Sequence, residues 1–139
     1  SPNIKATFTE IEQIGNSIIA VGLDGVVAQI HSNKNNILAL SDGREQARIE
    51  LLNSGVNKHF FDIVANENGE GIVVGLANIL TIKNGNKLNK IEINLPDQDY
   101  LYFMGATPIS ESKYVLVGAR GLVVTLDTVT KEIIGLVKW

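Results

Sequence analysis

No cysteine occurs among the 139 residues, which excludes a disulfide framework, a thiolate zinc site and a cysteine nucleophile. No apolar run reaches the roughly 18 residues of a membrane-crossing helix, so no membrane span is expected. Charge is scarce too. Only 19% of residues are charged and the net charge is −3, whereas a general nucleic-acid binder carries a basic excess. No nucleic-acid partner is expected. Lys83, Lys87 and Lys90 form the densest basic group, a spacing that suits a solvated edge strand, where lysine blocks edge-to-edge association. The two histidines, His31 and His59, stand far apart and beside no nucleophile. The chain opens Ser1-Pro2-Asn3 without methionine, as a processed chain or a segment of a longer protein would.

What is present is a repeat. Hydrophobic residues make up 45% of the chain, and they recur in a fixed order. Ser17–Val27, Gly71–Leu80 and Lys113–Val123 each run through Val and Ile into a glycine (Gly22, Gly75, Gly118), then a short turn, then a second apolar stretch. Two β-branched stretches around a glycine-bearing turn predict a β-hairpin. Gly75 and Gly118 lie 43 residues apart, within the roughly 40–50 residues of a four-stranded propeller blade. Gly22 and Gly75 lie 53 apart, and the excess is an insertion of about 11 residues between Gly25 and Asp42 with the polar tip 32–36. That tip is expected to be an exposed hairpin end, because Asn and Ser tolerate turns and water. The match of Asp42-Gly43 and Ala47–Leu51 to Asn84-Gly85 and Asn89–Ile93, at an offset of 42, fixes the alignment.

Each unit opens on an aromatic strand: Thr7–Ile11, Phe60–Val64 and Tyr100–Met104. Phe8, Phe61 and Phe103 are taken as the recurring core aromatics. The residues from Asp42 to Leu52 could open a capped helix, with Glu45 three residues after Asp42. The period-two alternation of Ala47, Ile49 and Leu51 favours a strand instead. The expected fold is therefore all-β, with three four-stranded antiparallel blades spanning 1–53, 54–96 and 97–139. Three blades leave two open sheet faces, so the expectation is a partial propeller completed by dimerisation or by chain beyond these residues.

The order of aromatic strand, Val-Val-Gly turn, Asp-Gly or Asn-Gly turn and closing strand resembles the BNR-type propeller repeat. More narrowly, it is similar to the photosystem II assembly (stability) factor family of propellers, over essentially the whole chain. The resemblance implies the propeller fold. The tryptophan that usually follows the glycine turn is replaced by Gln46-Ala47, Leu88-Asn89 and Glu132-Ile133, and the third unit reads Asp127–Thr130 without the glycine. No photosystem-binding or sialidase residue carries over.

Chemistry-bearing groups are sparse. A sialidase-like site needs paired acids and arginines that clamp a carboxylate. The arginines are Arg44, Arg48 and Arg120, and the nearest acid pair is Asp97-Gln98-Asp99, which reads as a polar loop between units rather than a calcium site. No metal, cofactor or catalytic residue is expected. The reading is a non-catalytic binding or scaffold module for a protein or small ligand, with copies of itself among its partners. Its candidate face is the end that carries Asp24, Asn78 and Arg120 at equivalent turn positions. The connectors add Lys58, His59, Asp97 and Asp99. The alternative is a fragment of a propeller glycan-processing enzyme, sialidase-like or a lyase, whose active residues lie outside this segment.

Overall fold

A computed structural model describes residues 5–31, 48–95 and 101–138. Twelve strands are named among them. The first sheet holds β1 (Phe8–Ile14), β2 (Ser17–Gly22), β3 (Val27–His31) and β4 (Arg48–Leu52). The second holds β5 (Phe60–Ala65), β6 (Gly71–Gly75), β7 (Asn78–Lys83) and β8 (Lys87–Ile91). The third holds β9 (Phe103–Pro108), β10 (Lys113–Gly118), β11 (Leu122–Asp127) and β12 (Glu132–Lys138). In every sheet the strands lie side by side in chain order and antiparallel. The only helical geometry described is in the three-residue turns Leu23–Gly25 and Ala119–Gly121. Residues 48–52 form a strand, as their alternation predicts. The insertion tip lies outside the described residues.

The recurring glycine has a steric cause. Phe8 pairs with Gly22, Phe60 with Gly75 and Phe103 with Gly118. An added Cβ at these glycines would overlap the carbonyl oxygens of Thr7, His59 and Tyr102 respectively. The chain can therefore enter each sheet tight against the second strand only where that strand has no side chain. One residue later the register shifts in all three first strands, leaving Thr9, Phe61 and Met104 without a direct partner. These are β-bulges, which bend the strand and turn one side chain away from its expected face.

The pairing corrects one expectation. The recurring core aromatic of the second sheet is Phe60, not Phe61: Phe60 is fully buried, and Phe61 lies at the bulge with its ring 6.3 Å from that of His59. The third sheet likewise starts at Phe103, later than the aromatic run suggests, because Tyr102 is used in an isolated bridge to Leu76.

The sheets stack in chain order, with neighbours meeting through their first strands, β1 on β5 and β5 on β9. Two cores result. Ile14, Ile19, Val21 and Val27 of the first sheet pack on Phe60, Val73 and Leu80 of the second. Ile72, Val74, Ile79 and Ile91 of the second pack on Phe103, Leu116 and Val124 of the third. Both faces of the second sheet are thus covered, and β6 is buried along its whole length.

Polar contacts fix the stacking. Thr9 Oγ1 donates to the Phe60 carbonyl at 2.9 Å. Asp62 Oδ2 accepts the Ala106 amide at 3.0 Å, while its Oδ1 accepts that of Ile63. The bond to Ala106 crosses the sheet boundary, and a carboxylate acceptor makes it stronger than a neutral one. Buried Gln29 bonds Ser17 at 3.3 Å and Asn86 of the second sheet at 3.4 Å.

Candidate functional site

The turns between the second and third strands sit at the end of the stack where the first strands begin. The fold repeats one bond there three times: Leu23 N to Thr7 O at 2.9 Å, Leu76 N to His59 O at 2.9 Å, and Ala119 N to Tyr102 O at 3.0 Å. Each turn is pinned to the connector that enters its own sheet. Each also holds one non-glycine residue in the left-handed region: Asp24 at φ 58, Ala77 at φ 54 and Arg120 at φ 62. That region is uncommon outside glycine and disfavours bulky residues. Asp24 and Arg120 are each followed by a glycine that is also left-handed, Gly25 and Gly121.

Asp24 and Arg120 occupy matching turn positions, and both are exposed. The Asp24 side chain is 87% accessible. Asn78 departs from the expectation. The turn of the second sheet is one residue shorter, with Gly75 paired directly to Asn78, so the position matching Asp24 and Arg120 is Ala77. Asn78 is the first residue of β7 and is buried, with its Nδ2 donating to the Leu76 carbonyl at 2.7 Å. Its amide closes its own turn. Asp97 and Asp99 lie outside the described residues.

His59 links two sheets. Its Nδ1 accepts the Asp24 backbone N–H at 3.0 Å, and the Asp24 carboxylate lies 3.8 Å from the same nitrogen. The imidazole is half-exposed and serves as the strut between the first turn and the second connector. Beside it, Val56, Asn57, Lys58, Ala77, Asn78 and Lys90 line a cleft of about 210 Å3. The other histidine, His31, ends β3 and pairs with Glu50 at 2.9 Å.

The opposite end carries a larger depression, which the sequence did not announce. Ala65, Asn66, Glu67, Pro108, Ile109 and Glu111 line a cleft of about 530 Å3 between the second and third sheets. Asn66 holds its floor together: its Nδ2 donates to the Glu111 carbonyl at 2.9 Å, and its Oδ1 accepts from Asn68 and Glu70. Its residues read as ordinary turn formers, and only their meeting across two sheets makes a cavity. Nearby, the Tyr114 hydroxyl is buried beside the Asn66 side chain but makes no hydrogen bond of good geometry. Its pKa is pushed up to about 12, first by burial and then by the Glu70 carboxylate, with Asn66 acting in the opposite sense.

No group of three or more His, Asp or Glu among the described residues is arranged to hold a metal ion. No described helix is long and apolar enough to cross a membrane. No family model, curated protein or solved structure matches the chain.

Proposed function

We propose that the chain is a non-catalytic binding and scaffold module of β-propeller type. Its three sheets are blades, and its open end faces are closed by further blades. The end bearing Asp24, Ala77, Arg120, Lys58 and His59 receives a protein or small ligand. One observation carries this reading: the triple bond from turn to connector, near 2.9–3.0 Å in every sheet. It holds three chemically different turn residues (an acid, a methyl and a guanidinium) at equivalent places on a repeated frame. A rigid scaffold with unlike side chains at its loop tips is the usual arrangement of a recognition surface. The likeness to BNR-type repeats, which rests on the sequence pattern, points the same way.

The test is differential capture. The wild-type chain and an Asp24→Ala/Arg120→Ala variant are immobilised side by side and the retained species compared by mass spectrometry. Both side chains are exposed, so the variant should still fold and melt cooperatively. A species retained by the wild type and lost from the variant supports the reading. Identical captures on both would remove this end as the recognition surface.

A further inference from the structure

The two outer faces of the stack are not alike. Call the face that carries the recurring phenylalanine the front and the other face the back. Inside the chain both contacts are front on back: the front of the second sheet on the back of the first, and the front of the third on the back of the second. One front and one back remain, at opposite ends.

The open back belongs to the third sheet. Aligning the strand registers gives one row of five positions in each sheet. The row is Ile19, Val21, Val27, Gln29 and Leu52 in the first. It is Ile72, Val74, Ile79, Thr81 and Ile91 in the second. It is Val115, Val117, Val123, Thr125 and Val137 in the third. The same sequence of three apolar residues, one polar and one apolar occurs three times. In the first two sheets a neighbour covers it. In the third, Val117 is 46% and Val137 61% accessible. Soluble chains rarely leave such a continuous apolar face bare.

The open front belongs to the first sheet. Phe8 holds the position of Phe60 and Phe103, both fully buried, yet it is 39% accessible. Ile11 holds the position of Ile63 and Ala106 and is 57% accessible. Ile18, Ile30 and Ile49 continue the face half-buried, around the buried Ala20 and Ala28. Where the second sheet has Gly71 and the larger Val73 and Leu80, the first has Ile18 with Ala20 and Ala28. The bulk is redistributed across this face and its apolar character is kept.

We infer that a second copy of the chain closes both faces, the front of each first sheet seating on the back of the other copy's third sheet. This rests on the propeller reading above and specifies its partner. The argument is continuity: the contact is the one the chain already makes twice, repeated between copies. Two copies joined in this way form a six-sheet ring about a twofold axis. Six lies within the roughly four to eight blades with which propellers close. Front-on-front pairing, the other way to make a symmetric dimer, has no counterpart inside the chain.

The chain has no cysteine, so introduced ones report without background. Within the chain, Asp62 meets Ala106 across a sheet boundary at 3.0 Å. The same two positions on the open faces are Gly105, on the third sheet, and Ile11, on the first. A Cβ at Gly105 meets only ordinary contacts, and Ile11 is exposed. Under mild oxidation an equal mixture of Ile11→Cys and Gly105→Cys chains should give a covalent heterodimer as the main product. The native particle should weigh about twice 15.1 kDa in light scattering. Val117→Lys, on an exposed residue, should shift that particle to the monomer by at least about tenfold in dissociation constant, with the circular dichroism unchanged. A dimer cross-linked Ile11 to Ile11 would overturn the head-to-tail arrangement and leave closure by a second copy standing. A folded monomer at micromolar concentration would overturn closure by a second copy altogether, whereas the turn-end reading is judged separately by the capture experiment.

Discussion

The second and third sheets carry the same pattern of apolar and polar side chains on one face, and only one of them is covered. Ile72, Val74 and Ile79 are fully buried, while Val117, at the place of Val74, is nearly half accessible. The same holds for Phe60 and Phe8 at the other face. Alternating apolar residues therefore specify what a face is suited to meet, and its neighbour decides how much the meeting contributes. An identical substitution should have unequal consequences at matched positions.

The largest effect is expected at Gly75→Ala. The new methyl would overlap the His59 carbonyl in a sheet packed on both faces, where neither strand can withdraw. We expect a loss of about 4 kcal/mol or more, seen in denaturant unfolding, because overpacking and backbone displacement act together. Gly105→Ala, with only ordinary contacts around it, should leave the midpoint nearly unchanged. A mild Gly75→Ala would mean the turn-to-connector contact is slack.

The next contrast is Phe60→Ala against Phe8→Ala. Emptying the fully buried site should cost about 3–5 kcal/mol. The partly exposed one should cost under about 1 kcal/mol in dilute chain, and more at concentrations where the open front is occupied. Equal costs at every concentration would erase the distinction between the covered and the open front.

Tyr114 gives the smallest and most specific effect. Its phenol titrates higher in the folded chain, at about 12, than the ordinary value of 10.0. The folded state therefore binds this proton more tightly. The associated stability is fully present below pH 10 and is lost as pH rises towards 12. Tyr114→Phe should flatten the alkaline limb of stability between those values. At neutral pH it should change stability by no more than about 1 kcal/mol, since the hydroxyl makes no well-formed bond to lose. An alkaline limb unchanged in the variant would place the titration elsewhere.

The strand pattern was legible because Val and Ile alternate around a glycine whose need is local. The offset between closing strands was not legible: by spacing Ile49 matches Ile91, but the pairings Val27–Leu52 and Ile79–Ile91 put Leu52 at the place of Ile91, three residues later. Two further details were hidden. Phe61 looks equivalent to Phe8 by spacing, but the first hairpin of the second sheet is one residue longer, so Phe60 takes the place of Phe8 and Phe61 that of the bulged Thr9. Asn78 looks equivalent to Asp24, but a turn one residue shorter moves the outward place to Ala77. Single-residue irregularities leave no periodic trace, and each reverses which side chain faces outward. Of the candidate surface, Asp24 and Arg120 could be read from the turns. The strut from His59 to Asp24, 35 residues apart in the chain, and the cleft over Asn66 exist only once the sheets are stacked.

Every sheet is a meander in which each strand pairs with the next in the chain, and each sheet touches its sequence neighbour through its first strand. Such an object has the grammar of a tandem array. Its length is set by how many copies of one unit the gene contains, since units interact only with those beside them. A duplication cut at the connector before Phe60 and again before Phe103 would add a whole sheet with its own glycine, bulge and turn. It would present to the sheet after it the same back, and to the sheet before it the same front. In-frame copying could thus lengthen the stack without a new contact having to be invented.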